Sequence, residues 1–152
     1  MSIRNAAREW VTGSRDVYVK DLTAMTHEQL MDGRGGRVPY DFTYEVAVVN
    51  RRVAKRLRGE DPGDWPYNGW ITAPEEFRNK EAITREFSAA ADEIVAAFDA
   101  MNDEQVMGDV ATSEGTKPVL DMMQFAAMHT MYHDGQLNQL QAQAGDMEVH
   151  WM

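Results

Sequence analysis

The sequence predicts an all-α chain, folded as an antiparallel four-helix bundle in one domain over residues 1–152. Three observations carry that expectation. Four segments repeat their apolar residues with a period near 3.6, the mark of amphipathic helices. No stretch alternates apolar and polar residues for long enough to demand a strand. Chain breakers bound the periodic segments, above all GEDPGDWP (59–66) after the second and Gly145 after the fourth. At 152 residues the chain is long enough for one domain that buries about two-thirds of its unfolded surface.

The first helix is expected from about residue 5 to 25, with Ala6, Ala7, Trp10, Ser14, Val17, Tyr18, Asp21 and Met25 on one face. Thr26 then caps a short turn, THEQL, with Gln29 at the capping-box position. The second helix runs from Asp41 or Thr43 to Arg58 and stops before the Pro-Gly breaker. The third, about 75 to 101, carries Phe77, Ala82, Phe87, Ala91, Ile94, Val95 and Phe98. The fourth, about 117 to 144, tolerates Pro118 in its first turn and ends at Gly145, a suitable residue for a helix C-terminus. MTHEQLMDG (25–33) and MNDEQVMGD (101–109) echo each other after the first helix of each half, which fits two packed helix pairs. The loop GDWPYNGWITAP (63–74) holds two of the four tryptophans and reads as a cover over one end of the bundle, or else as a substrate-facing lid.

Composition removes several function classes. With 15 Lys+Arg against 25 Asp+Glu the net charge is −10, unsuited to nucleic acid, whose phosphates need a clustered basic face. The basic run RRVAKRLR (51–58) is interrupted by apolar residues and reads as the solvated side of a helix. No cysteine is present, which excludes disulfides, thiolate metal sites and a cysteine nucleophile. The start of the chain lacks a signal-peptide core, and no apolar run approaches the roughly 20 residues that cross a bilayer. A cytoplasmic protein without a membrane partner is expected. Eleven methionines read as flexible core filler.

HTMYHDGQL (129–137) carries the chemistry. At 100° per residue His129 and His133 share a face with Met122, Phe125, Ala126, Gln136, Leu137 and Leu140, their Cβ atoms about 5–6 Å apart. Two neutral imidazoles so placed can share one divalent ion. No glutamate follows the first histidine, so the metalloprotease pattern fails. Alone, the pair is a weak signal and fits two hydrogen-bonded core histidines better. However, Asn50 lies at the centre of the stripe Val46, Ala47, Val53, Ala54 and Leu57, and Asp21 lies between Val17, Tyr18 and Met25. A buried carboxamide costs about 1–3 kcal/mol unless it finds partners. Polar groups on three apolar faces therefore read as a site.

These residues bring a resemblance into view. HTMYHDGQLNQLQAQAGD (129–146) resembles the last helix of the DinB-like superfamily of four-helix-bundle metalloenzymes, in which two histidines precede a Gly-Gln-Leu segment. DFTYEVAVVNRRVAKRL (41–57) resembles that family's second helix, and the capped turn THEQL and the helix lengths agree. The resemblance implies a divalent metal, nickel or zinc, held by His129, His133 and a third ligand at position 50. This chain has Asn50 there, and a carboxamide oxygen is a poorer ligand than imidazole for such an ion. Either another group completes the site, or metal binds weakly, or it is absent. Asp21 could complete a two-histidine, one-carboxylate set, and Gln136 could orient a ligand or substrate. Glu45 ranks lower because it lies toward the edge of the apolar face; His150 has no fixed direction, and His27 begins a solvent-exposed turn.

The implied activity is that of a metal-dependent enzyme, a thiol-dependent transferase or a hydrolase, acting on a small molecule with a low-molecular-weight thiol as partner. The alternative is a non-catalytic dimeric bundle whose degenerate metal site binds a small ligand. A homodimer is expected from the resemblance and from the symmetry common among soluble oligomers. The departure at position 50 yields a test. Asn50→His would supply a third nitrogen, so added zinc or nickel should raise its melting temperature more than the parent's. Unchanged metal affinity in the folded variant would show that position 50 does not face the histidine pair.

Overall fold

The structure, a computed structural model, describes residues 2–152. Helix α1 (Ile3–Ala24) starts where the Ser2 hydroxyl accepts the Asn5 amide, which satisfies one of the free donors of a helix end. Its buried stripe is Ala7, Val11, Ser14, Tyr18, Asp21 and Leu22. The expected face is thus rotated: Trp10 lies outside it at 38% exposure, and Val11 and Leu22 take the inward places. Helix α2 (His27–Leu30) is the anticipated capped turn, with both halves of the Thr26–Gln29 box formed. Helix α3 (Pro39–Leu57) begins with proline in its first turn, where the missing N–H costs nothing.

After α3 a long connection contains only a 3₁₀ turn, Glu75–Phe77, and α4 (Lys80–Asp99) starts later than the periodicity suggested because Asn79 caps it. Helix α5 (Asp103–Val106) repeats the capping box of α2 with Asn102 and Gln105, so the sequence echo marks a real structural repeat. Next comes a hairpin that the sequence reading missed, β1 (Asp109–Thr112) antiparallel to β2 (Gly115–Pro118). Strands this short leave no alternation to read. Helix α6 (Val119–Gln143) follows, and Gly145 beyond it adopts a φ of +92°.

The fold is mostly helical, with α1 packing on α6 and α4, and α3 packing on α4 and α6. Two apolar clusters fix the helix directions. One joins Ala7 and Val11, Val53 to Leu57, Ala91 to Phe98, and Val119 to Ala126. The other joins Tyr18 and Leu22, Tyr40 to Val46, Ile83 and Phe87, and Leu137. Helices α1 and α6 therefore run from the first cluster to the second, whereas α3 and α4 both run from the second to the first. The expected strictly antiparallel order is corrected: α3 and α4 are parallel, and residues 58–79 carry the chain back between them.

Arg52 ties that connection down by donating to the carbonyls of Pro62, Gly63 and Asp64 while stacking over Trp65. Arg78 anchors its other end on Asp41, whose carboxylate also accepts the Ala73 amide. In the basic run, Arg51 pairs with Glu86 and Glu93, and Arg58 pairs with Glu60. Those cations serve the fold rather than a phosphate.

Between the two clusters the inward positions turn polar. Ser14 on α1, Asn50 on α3, and Thr130 and His133 on α6 are all buried at that level. The Ser14 and Thr130 hydroxyls return their protons to carbonyls of their own helices, whereas Asn50 Oδ1 has no partner. Stability should follow the apolar halves. Phe87, fully buried and stacked on Tyr18 at 4.4 Å, should cost about 3–5 kcal/mol when changed to alanine. Trp70→Ala, at a side chain 74% exposed, should stay within about 0.5 kcal/mol. Urea unfolding of the two variants checks the contrast.

Candidate metal centre

One turn of α6 separates His129 from His133, and their rings meet edge to face with centroids 4.8 Å apart. Opposite them, α3 supplies Glu45. Its Oε1 lies 3.6 Å from His133 Nε2 and 3.8 Å from His129 Nε2. One ligand atom from each of the three residues lies within 4.8 Å of the others, a cluster that could hold a metal ion. Both imidazoles are clamped. His133 stacks on Phe42 with ring planes 11° apart, and His129 stacks on Phe125 at 9°.

Gln136 fixes the tautomer. Its Oε1 can only accept, so His133 Nδ1 carries the proton at 2.7 Å and Nε2 keeps its lone pair toward Glu45. A lone pair then faces a carboxylate oxygen with no donor between them. Burial pushes the His129 pKa down to about 4, reinforced by its neighbour His133, and burial also lowers that of His133. Both rings are therefore neutral at pH 7, the form that binds metal. A cation at the edge is Arg37, which pairs with Glu45 Oε2 and lies 4.5 Å from the ring centre of Trp70. The loop 63–74 thus reaches the edge of the site through Trp70 on Arg37.

Expected and observed residues differ in instructive ways. His129, His133 and Gln136 come together as the sequence reading placed them. Glu45, ranked low there, joins the histidines; at the edge of the apolar face its long side chain reaches inward while Arg37 holds the far oxygen. Asn50 is buried in the polar layer, and its Oδ1 bonds neither imidazole. His27 is exposed and meets Tyr40, and His150 bonds Asp146; neither approaches the pair as a ligand.

Asp21 belongs to a second polar group, on the α1 side of α6. Asn138 Nδ2 donates to Asp21 Oδ2 at 2.9 Å and to Asp134 Oδ2 at 3.3 Å, and Gln141 donates to the Asp21 carbonyl. Burial first, then the Asp21 carboxylate beside it, pushes the Asp134 pKa up to about 7. This pair holds a proton where the other site presents lone pairs. The sequence reading missed Asp134; an acidic residue on the inward side of α6, one turn before Asn138, was the available signal.

The DinB superfamily profile matches residues 46–137, more than half of the chain and including Asn50, His129 and His133. The chain belongs to the DinB superfamily. Curated proteins and solved structures offer no match. Within this DinB chain, Glu45 and Arg37 lie just outside the matched segment.

Opposite titrations follow for the metal-free protein. The His129 pKa lies below its usual 6.5, so its contribution is present above pH 6.5 and is lost as pH falls toward about 4. The Asp134 pKa lies above its usual 3.8, so its contribution is present below that value and is lost as pH rises toward about 7. His129→Gln should therefore remove part of the acid-side loss, while Asp134→Asn should gain on the parent as pH rises through this range. Melting curves across pH check both signs.

Proposed function

We propose that this chain is a metal-dependent enzyme of the DinB-type four-helix bundle, with a divalent ion, nickel or zinc, held by His129, His133 and Glu45. The observation that carries this reading is the convergence of two neutral imidazoles and a carboxylate, with one ligand atom of each within 4.8 Å of the others. Two nitrogens and one oxygen form a donor set suited to a borderline ion, with coordination positions left for a substrate or water. When bound, such an ion lowers the pKa of water or of a substrate thiol and polarises a carbonyl.

The chain's own residues supply the remainder. Gln136 holds His133 in the ligating tautomer, as partners just beyond a metal's ligands commonly do. Arg37 neutralises the outer oxygen of Glu45 and keeps the inner one aimed at the histidines. Arg37, Phe42 and Gln136, which touch the proposed ligands, also line a cleft of about 320 Å³ with Tyr132, Gln139 and Leu140, room for a small molecule. The chain has no cysteine, so a sulfur nucleophile would arrive with a low-molecular-weight thiol. The reaction class is thiol-dependent transfer or hydrolysis.

One observation favours a second reading, a non-catalytic bundle that binds a small ligand. The position that resembles the family's third ligand holds Asn50, whose buried Oδ1 is unpartnered. Elemental analysis of untagged protein separates the two readings: about one equivalent of metal supports the enzyme, and metal-free protein stabilised by a small ligand supports the alternative.

Replacing His129 and His133 together by alanine should abolish stoichiometric metal binding and leave helical content intact. Glu45→Gln should weaken binding by roughly 10–100-fold while the fold persists. In the parent, metal at a hundredfold excess over Kd should stabilise the native state by about 2.7 kcal/mol. Calorimetric titration and melting curves read these outcomes, and unchanged affinity in Glu45→Gln would remove Glu45 from the ligand set.

A further inference from the structure

Every arginine of the chain but one pairs with a carboxylate or donates to a backbone carbonyl. The exception among the described residues is Arg56, half-buried on the last turn of α3. With 25 Asp+Glu against 15 Lys+Arg, carboxylates are in excess, so a guanidinium left out of every pair calls for a reason. It cannot shed its charge, and its donors form a rigid fork that matches a carboxylate. Arg56 lines two cavities. One, of about 520 Å³, is bounded by Glu60, Asp61 and Asp64, and like charge keeps an anion out of it. The other, of about 450 Å³, is walled by α3, α6 and the β1–β2 hairpin.

We propose that this second cavity binds a small organic monocarboxylate with an apolar body, its carboxylate held by Arg56. The remaining walls suit such a molecule. Met122 and Phe125 of α6 offer apolar surface, and the Ser113 hydroxyl and the Lys117 ammonium on the hairpin are further donors. Lys117 meets Glu114 at 3.7 Å, an exposed pair that contributes little and is readily exchanged. Glu114 and Asp121 offset the two cations, so the walls are neutral as a whole. One negative charge on the ligand is then accommodated at Arg56, whereas a doubly charged phosphate monoester meets two carboxylates.

The hairpin supports the assignment independently. It gives only Val110 to the apolar core, and its turn, from Ser113 on, is exposed. Thr112, Ser113 and Glu114 instead close one side of the cavity over Arg56. The volume falls within the range of small-molecule sites, and an apolar floor with a few polar groups is their usual lining. Phe125 joins this cavity to the candidate metal centre, because the ring that lines it also stacks on His129. That link rests on the proposed function; the carboxylate site does not.

Calorimetric titration with benzoate, phenylacetate and hexanoate, each beside its primary amide, tests the proposal. At least one carboxylate should bind, and its amide should bind roughly tenfold more weakly or worse, the usual cost of losing a charged hydrogen bond. Arg56→Gln should lose a similar factor with helical content unchanged. Arg56→Lys, which keeps the charge at the end of α3 but not the fork, should fall between that variant and the parent. Replacing His129 and His133 together by alanine should leave carboxylate binding in place, so the metal reading and this one fail separately. Loss of binding in that double variant moves the carboxylate to the metal centre and overturns the assignment. So does a parent that binds none of the three acids, binds the amides equally well, or takes inorganic phosphate in their place. Undiminished binding in Arg56→Gln removes Arg56 and the proposal with it.

Discussion

Two imidazoles and a carboxylate share one small volume between α3 and α6, and what they can hold depends on where their protons lie. An imidazolium there is disfavoured, because burial has pushed the His129 pKa down to about 4. Arg37 reaches the outer oxygen of Glu45 and stops there. The capacity of the cluster for a cation thus rests on the tautomer that Gln136 favours for His133 and on the neutral state of both rings. The remaining features serve that arrangement: Phe42 and Phe125 hold the rings, and Arg37 turns the carboxylate inward.

The same helix meets the same problem differently one residue further on. His133 and Asp134 are adjacent, but 100° of rotation sends one toward α3 and the other toward α1. Asp134 finds Asp21 and an amide donor, and its pKa is pushed up to about 7, so a proton suffices to satisfy the pair. Lowered histidine and raised aspartate pKa values have one cause, burial that disfavours charge, with opposite consequences for what the site attracts.

Much of this arrangement was legible in the sequence. The HxxxH spacing fixed the two imidazoles on one face, the capping boxes at Thr26 and Asn102 located the short turns, and the polar residue amid the stripe of α3 marked the level at which the core changes character. Other parts were not legible. Glu45 sat at the edge of its stripe, and periodicity reports where a Cα points, not how far a long side chain reaches. The parallel course of α3 and α4 depends on a connection whose path is set by Arg52 and Arg78 through backbone carbonyls and a distant aspartate. The β1–β2 hairpin is too short to carry a period at all.

The two-cluster core explains why the site lies where it does. Each apolar half is complete by itself, with Phe87 and Tyr18 in one and Phe98 and Ile94 in the other. The layer between them carries little of the hydrophobic stabilisation, so polar groups placed there disturb the fold least. Ser14 and Thr130 satisfy themselves on their own helices, a solution open only to short hydroxyl side chains. Asn50 has no such recourse, and its orphaned Oδ1 leaves an acceptor at the level of the histidines. A fold that can tolerate polarity at mid-height on three helices can vary the donor set there without rebuilding its core. The exchange of a nitrogen ligand at position 50 for an oxygen ligand five residues earlier, at Glu45, would be such a variation.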